Sequence, residues 1–176
     1  VASRGLGDVY KRQASDCTVK IDEGFINLRV GAIIMKGNKF LMAGNEKSNY
    51  LYSVGGRIKF GETAEEAVIR EVYEETGVQM EVDRLGFIHE NYFYGDCEKK
   101  KDKLIYEVSF FFFMKVPEDF APVCDSFTED DHKESLVWVT ADSDITYYPE
   151  FFRTELSCPK PYVQHIVTDE RGKKSE

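Results

Sequence analysis

Apolar stretches and glycine-marked turns alternate along the first part of the chain. Residues 25–35 (FINLRVGAIIM) are rich in branched and aromatic side chains, and residues 39–44 (KFLMAG) resume that composition after a Gly-Asn turn. Two such stretches joined by a turn are typical of a β-hairpin, because branched and aromatic side chains suit a pleated surface. Residues 49–54 (NYLYSV) predict a further short strand, which a pair of glycines stops. This part of the chain is therefore predicted to form β-sheet.

A helix is predicted after the glycine pair. Thr63 is followed three residues later by Glu66, which is the T-x-x-E spacing of a capping box, and Gly77 marks the C-terminal stop. At about 100° per residue, one stripe of this helix is apolar and can pack against a sheet. The stripe consists of Ala64, Val68 and Val72.

The remainder of the chain predicts three more strands and a second helix. The strands are expected at residues 78–94, 104–116 and 135–140, separated by charged or turn-rich loops. The second helix is expected at residues 149–156, with Pro149 in its first turn, where a missing N–H is tolerated. We therefore predict an α/β (α+β) fold, an α/β/α sandwich with a mixed β-sheet and about two helices.

Length and charge narrow the functional classes. The 176 residues suffice for one domain, which we place at residues 18–168, with residues 1–17 as a non-native or disordered leader and residues 169–176 as a charged tail. The formal net charge of -9 has the wrong sign for binding duplex nucleic acid by counterion release. An acidic enzyme can still handle a polyphosphate if a bound metal supplies positive charge.

The length of the longest apolar stretch and the spacing of the cysteines predict the cellular compartment. The most apolar stretch, residues 104–116, is shorter than the roughly 20 residues of a spanning helix, and the first residues do not resemble a secretory signal. The cysteines lack metal-binding spacing, which favours a reduced, cytoplasmic chain with unpaired thiols. They are Cys17, Cys97, Cys124 and Cys158.

Three glutamates border the buried side of the first predicted helix. Glu71 and Glu75 lie one turn apart beside the apolar stripe, and Glu74 lies next to them. Like charges at this spacing repel each other, so an opposite charge is expected to offset them. Oxygen ligands that converge suit a hard divalent cation such as Mg²⁺ or Mn²⁺. The alternative interpretation is an ordinary charged surface helix with a good cap.

The loop before the helix contains three glycines, whose backbone can bend sharply and approach a ligand closely. Arg70 can reach back towards Glu66 or Glu62 and hold the loop and the helix together through charge-assisted hydrogen bonds.

The pattern G-x5-E-x7-R-E-U-x-E-E-x-G-U, in which U is a bulky aliphatic residue, is the signature of the Nudix hydrolase family, and residues 56–78 resemble it at every fixed position. The matching residues are Gly56, Glu62, Arg70, Glu71, Val72, Glu74, Glu75, Gly77 and Val78. The likeness covers most of residues 25–156. It implies a MutT-like hydrolase that uses Mg²⁺, with Mn²⁺ as a substitute, to cleave a pyrophosphate bond in a nucleoside diphosphate linked to another group.

The resemblance also implies roles for single residues. The expected metal ligands are Glu71, Glu74 and Glu75, with the Gly55 carbonyl as a further candidate. Arg70 and Glu62 are expected to clamp the loop to the helix. A carboxylate must also take a proton from the attacking water, which Glu74 or Glu75 can do. Candidates for a base or extra ligand outside the signature are Glu107, Glu129, Asp130, Asp131 and Glu134, with Glu134 preferred and a plain surface or strand carboxylate as the alternative for each.

Substrate recognition is assigned to cations, loop glycines and aromatic residues. The expected phosphate contacts are Arg29, Lys47, Arg57 and the backbone of Gly55 and Gly56. The stacking candidates are Tyr92, Phe93, Tyr94, Tyr147, Tyr148, Phe151 and Phe152, of which Tyr94 stands where dinucleoside polyphosphate hydrolases of the family tend to carry a tyrosine. Stacking distinguishes bases poorly, so we expect tolerance of the base, with Asn91 as the one nearby amide.

The rival hypothesis is a non-catalytic Nudix-like module that senses a nucleotide or binds a protein. Such modules usually lack some of the signature carboxylates, whereas all are present here, which favours an enzyme. The expected partner is a nucleotide-derived small molecule rather than duplex nucleic acid or a membrane, and a homodimer is compatible with the sequence.

Overall fold

The computed structural model describes residues 14–95, 100–123 and 133–172. The elements there are β1 (Thr18–Lys20), β2 (Gly24–Ile33), β3 (Met35–Lys36), β4 (Lys39–Asn45), β5 (Leu51–Ser53), α1 (Ala64–Thr76), β6 (Glu81–Tyr94), β7 (Leu104–Lys115), β8 (Glu134–Thr140), β9 (Tyr147–Tyr148), α2 (Phe152–Glu155) and β10 (Gln164–Asp169). The predicted strands are thus confirmed, and β1, β9 and β10 were not predicted.

The larger sheet is mixed and has the strand order β1-β2-β7-β6-β10. Strands β2 and β7 are parallel, β7 and β6 are antiparallel, and β6 and β10 are parallel. Strand β10 is an edge strand of six mostly exposed residues. Three of its six residues are β-branched, and its place in the sheet depends on pairing with β6, from Gln164 opposite Phe87 onwards.

The smaller sheet contains β3, β4, β5 and β9, and β8 pairs with β4 along its other edge. The predicted hairpin is present, because β3 and β4 pair in antiparallel fashion with Lys36 opposite Lys39. Gly37 occupies the turn with φ 62°, in the left-handed region that glycine adopts without steric cost.

Helix α1 covers one face of the larger sheet. Its buried Val68 and Val72 share a core with Val30 and Ala32 of β2 and with Phe112 of β7. Both predicted ends of the helix are confirmed. The side chain at the N-cap, residue 63, and the side chain three residues later satisfy each other's backbone N–H groups, and the helix ends at a left-handed glycine.

The opposite face of the larger sheet packs against the smaller sheet and α2. Phe40 of β4 meets the rings of Tyr147 and Phe152 edge to face, with centroids 5.4 and 5.8 Å apart. Phe87 and Phe111 of the larger sheet belong to the same buried cluster. The layers are therefore α1, the larger sheet, and the smaller sheet with α2, which confirms the predicted fold class.

The second helix is shorter than predicted. It has a single turn, Phe152–Glu155, and Pro149 precedes the N-cap residue Phe151 instead of lying in the first turn. Phe152 and Leu156 are buried and anchor this turn. Two prolines, at residues 159 and 161, follow it and oppose continuation of a helix.

The described residues include no helix that is long and apolar enough to cross a membrane. Cys17 and Cys158 carry free thiols, whereas Cys97 and Cys124 lie outside the described residues. Part of the segment predicted as a leader packs against the domain, since the Cys17 N–H donates to the Ile58 carbonyl at 2.7 Å.

We predict that Gly77→Ala lowers the free energy of unfolding by about 1 kcal/mol, because residue 77 has φ 69° and a side chain there is strained even where space allows it. Gly77→Asn is the matched control and should lose less, since asparagine tolerates this conformation better. Urea unfolding of both variants provides the measurement, and equal stability of Gly77→Ala and the wild type would contradict the prediction.

Candidate functional site

The glycine loop before α1 is attached to the middle of β2. The N–H groups of Val30 and Ala32 donate to the carbonyls of Gly56 and Val54, at 2.9 and 2.7 Å. The loop therefore pairs with β2 next to the segment that pairs with β1. The core that buries α1 on the same sheet sets the position of the loop relative to the helix.

Gly55 places one carboxylate of α1 under the loop. Its N–H donates to Glu75 Oε1 at 2.9 Å, and it adopts φ 143° with no room for a Cβ, which would lie 2.2 Å from the Val30 carbonyl oxygen. Only glycine fits such a position without a shift of the backbone. The loop therefore holds Glu75 by its main chain.

Glu75 is buried with one oxygen unsatisfied. The residue is 6% exposed, and Oε2 has no hydrogen-bond partner among the described residues. Burial raises the pKa of Glu75 well above its ordinary value, the Gly55 N–H opposes this, and the carboxylates of Glu134 and Glu71 raise it further. A buried carboxylate of this kind is stabilised by a cation on the free oxygen.

Glu71 lies against the second loop glycine. A Cβ at Gly56 would come within 2.4 Å of Glu71 Oε1 and 2.6 Å of Oε2, so the absence of a side chain makes room for this carboxylate. Burial raises the pKa of Glu71, and the hydrogen bond and charge of Arg70 act in the opposite direction.

Arg70 joins the loop to the helix. Its Nε and Nη2 donate to Glu62 Oε2 and Oε1 at 3.0 and 2.6 Å, and Nη2 also donates to the Arg57 carbonyl at 3.1 Å. The same guanidinium lowers the pKa of Glu62. Of the two partners that the sequence allowed for Arg70, the structure selects Glu62, because Glu66 is engaged in the capping box with Thr63.

Arg70 also meets the carboxylates of the helix. Its Nη1 donates to Glu71 Oε1 at 2.6 Å and to Glu74 Oε2 at 3.2 Å, and the Glu74 side chain is 51% exposed. In the described residues no three acidic, histidine or cysteine side chains are gathered closely enough to hold a metal. Two of the expected ligands instead share the guanidinium.

The residues nevertheless fit a hard cation by two criteria. All donors are carboxylate oxygens, which suit Mg²⁺ and Mn²⁺. The unpartnered Oε2 of Glu75 lies buried within the same set. The expected carbonyl ligand, Gly55, contributes to this site through its N–H.

Glu134, at the start of β8, lies near this set. It accepts a hydrogen bond of 2.6 Å from the Tyr52 hydroxyl, and its charge is among the causes of the raised pKa of Glu75, after burial. Burial and this hydrogen bond raise the pKa of Tyr52, which therefore stays a donor at neutral pH. The other loop candidates, Glu129, Asp130 and Asp131, lie outside the described residues.

Arg29 lies on the face of β2 opposite α1, at the edge of the site. Burial raises the pKa of both Glu71 and Glu75, and the charge of Arg29 lowers each. Its Nε is 3.8 Å from Oε2 of Glu107, the remaining base candidate, which therefore pairs with Arg29. Among the side chains expected to contact phosphate, Arg29 is thus the one whose charge acts on both of these carboxylates.

Other predicted substrate contacts lie elsewhere. Arg57 Nη1 pairs with Asp16 at 3.2 Å, and Lys47 is exposed in the loop after β4. Tyr94 ends β6, and alternation along the strand puts it on the face opposite Arg29, so the structure does not bring it to the site.

The aromatic residues expected to stack on a base differ in how deeply they are buried. Tyr147 and Phe152 are core residues, and Tyr92 stacks on Tyr106 with centroids 4.4 Å apart. Phe151 is half-buried, and its ring centre lies 5.0 Å from that of His89. Tyr148 is exposed.

Sequence reasoning missed several polar residues beside the site. Asn27, Ser109 and His89 are buried on the face of the larger sheet that carries Arg29. Period-two alternation places Asn27 with Arg29, and Glu107 with Ser109, but only the pairing of β2 with β7 brings the two sets together. Tyr52 gave no sequence signal beyond that of a strand residue.

Comparisons with known proteins identify the domain and the fold. The model of the NUDIX domain matches residues 26–148. No curated protein sequence matches the chain.

Solved structures resemble the fold at low sequence identity. An ADP-ribose pyrophosphatase from Streptococcus suis 89-1591 is 17% identical, with a TM-score of 0.52 over 81% of this chain and 98% of that one. A MutT protein from Bacillus halodurans is 17% identical, with a TM-score of 0.53 over 82% and 92%. A MutT protein from Methanosarcina mazei Go1 is 21% identical, with a TM-score of 0.51 over 78% and 94%.

We predict that Gly56→Ala lowers kcat by about a hundredfold or more, because a Cβ there displaces the Glu71 carboxylate from its place against the loop. Gly37→Ala is the control, since it changes a left-handed glycine in a turn where a Cβ meets nothing within 4 Å. Steady-state kinetics and thermal unfolding of both variants test this. Unchanged turnover in a folded Gly56→Ala protein would show that the position of the Glu71 carboxylate against Gly56 is not needed for activity.

Proposed function

Because the chain belongs to the Nudix family, whose domain model matches residues 26–148, we propose that it is a divalent-metal-dependent hydrolase that cleaves a pyrophosphate bond in a nucleoside diphosphate linked to another group. The observation that carries this proposal is the buried Glu75, whose free Oε2 lies in a set of carboxylates held against a glycine loop. Such a set has no evident structural use, since buried unpaired charge destabilises a fold.

The metal is Mg²⁺, with Mn²⁺ as a substitute, and Glu71, Glu74 and Glu75 would hold it. When bound, such an ion neutralises phosphate charge and lowers the pKa of a bound water. The fit of Glu75 supports this assignment, because its second oxygen is buried without a partner among the described residues. Arg70 has the complementary task of fixing the helix carboxylates relative to the loop, through Glu62 and Glu71.

Two side chains act on the substrate from outside the signature. Arg29 binds the phosphates, supported by its effect on the pKa of Glu71 and Glu75, which burial raises and Arg29 lowers. Glu134 takes the proton from the attacking water. The Tyr52 hydroxyl orients the Glu134 carboxylate through the 2.6 Å hydrogen bond. Glu134 is preferred to Glu107 for this role, because the charge of Glu134 acts on Glu75, whereas Glu107 pairs with Arg29 at 3.8 Å.

The substrate class is a nucleotide, a nucleotide sugar or a dinucleoside polyphosphate. Two of the structural neighbours bear the names ADP-ribose pyrophosphatase and UDP-X diphosphatase, at 17% and 14% identity. A panel of these compounds, incubated with Mg²⁺ or Mn²⁺ and separated by anion-exchange chromatography, tests the proposal. Release of a nucleoside monophosphate or of inorganic pyrophosphate supports it, and an intact panel with both metals overturns it.

We predict that hydrolysis stops when EDTA removes divalent ions and returns with Mg²⁺, and that Glu75→Gln lowers kcat by about a hundredfold or more. The reason is that a glutamine side chain would offer only a neutral amide to a cation at the position of Oε2, the buried oxygen that has no partner among the described residues. Glu65→Gln, on the exposed side of the same helix, is the matched control and should be fully active. Turnover that persists in EDTA would disprove the metal assignment.

We predict that Glu134→Gln lowers kcat by about 10² to 10⁴ with little change in KM, because a proton acceptor acts in the transition state more than in substrate binding. Tyr52→Phe keeps the carboxylate but removes its hydrogen bond, so its loss should be smaller. Glu46→Gln, in the exposed loop after β4, serves as the control. A rise in KM alone for Glu134→Gln would assign this residue to substrate binding.

A further inference from the structure

The face of the larger sheet that carries Arg29 changes from apolar to polar along its strands. At one end Phe87 and Phe111 belong to the aromatic core, and at the other end the same face carries buried polar side chains. These are Asn27 at 2% exposure, Ser109 at 4% and His89 at 6%. Burial of polar groups costs free energy unless they are satisfied, so a polar floor in a sheet indicates a use beyond packing.

Glu107 lies on the same face of the sheet and accepts hydrogen bonds from two residues of this polar floor. Asn27 Nδ2 donates to Oε2 and Ser109 Oγ donates to Oε1, each at 3.3 Å. An ionised carboxylate has about four lone-pair positions, so each oxygen keeps capacity to accept another hydrogen bond. The side chain is 16% exposed, which leaves this capacity accessible from the open side of the sheet.

Glu107 and Arg29 form an ion pair that is too long for a hydrogen bond. Their closest atoms are 3.8 Å apart, whereas charge-assisted hydrogen bonds have lengths of about 2.7–2.9 Å. Arg29 also acts electrostatically on Glu75, where burial is the larger influence. Arg29 therefore interacts both with Glu107 and with the carboxylates of α1, which connects Glu107 to the site.

An aromatic surface borders the same floor. Phe151 is half-buried, and its ring lies edge-on to the ring of His89 with centroids 5.0 Å apart. His89 pairs in register with Ser109, and its Nε2 is 2.8 Å from the Thr168 hydroxyl oxygen. Burial lowers the pKa of His89 to about 4, so its ring is neutral at pH 7 and adds no charge to this face of the sheet.

We propose that Glu107, positioned by Asn27 and Ser109, determines specificity by accepting two neighbouring hydrogen-bond donors from the nucleoside part of the substrate. This rests on the proposed function, because it concerns the same site beyond the phosphates. Two groups of a nucleotide offer such a donor pair, the vicinal hydroxyls of ribose and the N1–H and amino group of guanine. The second source would replace the base tolerance expected from aromatic stacking with selection of one base.

The test combines deletion of the donor from the substrate with deletion of the acceptor from the protein. Matched nucleoside diphosphate-linked substrates with guanosine or inosine, and with ribose, 2′-deoxyribose or 3′-deoxyribose, are compared in the wild type and in Glu107→Gln. In the wild type, one deletion should lower kcat/KM by about ten- to a hundredfold. In Glu107→Gln, kcat/KM for the complete substrate should fall by the same factor. The values of kcat/KM for the complete substrate and for the analogue should then differ by less than about threefold in this variant.

Two further variants separate recognition from folding. Glu90→Gln changes a carboxylate on the opposite face of the same sheet, bonded to Tyr106 and His165, and should keep the wild-type pattern. Ser109→Ala keeps the Glu107 carboxylate but removes one of its supports, so it should reduce the discrimination in part. Thermal unfolding shows whether each variant is folded.

Binding of GDP, IDP and deoxy-GDP in EDTA, measured by calorimetry, repeats the comparison without turnover. If hydrolysis is normal and Glu107→Gln affects all substrates by the same factor, the subsite is wrong and the proposed function stands. If no substrate is hydrolysed but binding shows the Glu107-dependent discrimination, the subsite stands and the proposed function fails. A wild type that discriminates in neither assay overturns the subsite.

Discussion

The forked contact between Arg70 and Glu62 is the interaction on which the site depends. Glu62 belongs to the loop and Arg70 to the helix, so the two hydrogen bonds of 3.0 and 2.6 Å fix one segment against the other. The loop is in turn bonded to β2, and the helix is buried on the same sheet. The carboxylates of Glu71 and Glu75 are thereby aligned with the loop before any ligand arrives, which is the preorganisation that catalysis by positioned charge requires.

This arrangement concentrates negative charge in a place where it is unfavourable. Burial raises the pKa of Glu71 and Glu75, and one oxygen of Glu75 has no partner in the described residues. Arg70 offsets part of the repulsion through Glu71 and Glu74. Arg70 thus compensates the site at its edge, and the proposed function assigns the buried oxygen to a cation. Such a cation would supply the positive charge that an acidic protein needs to act on a polyphosphate.

The parts of the structure that local chemistry determines could be predicted from the sequence. The capping box at Thr63 and the glycine stop at Gly77 depend on neighbours within a few residues, and so define α1 without knowledge of the fold. Strand β10 could not be predicted, because its place depends on pairing with β6. The polar floor beside Glu107 could not be predicted either, because Asn27 and Ser109 are brought together only by the parallel pairing of β2 and β7. The position of Tyr94 on the face opposite Arg29 could not be predicted for the same reason, because spacing along the chain does not show which face of the sheet a residue occupies.

The most direct test of the account is a double-mutant cycle on the clamp, with kcat and KM measured for Arg70→Lys, Glu62→Gln and the double variant. Lysine keeps the charge and loses the fork, and glutamine keeps one neutral oxygen acceptor and replaces the other oxygen with an amide nitrogen that cannot accept. If the clamp aligns the carboxylates, each single variant lowers kcat by about tenfold or more with a smaller change in KM, and the double variant is little worse than either. Losses in kcat that multiply independently, or a rise in KM with kcat unchanged, would contradict the account and assign Arg70 to direct substrate binding.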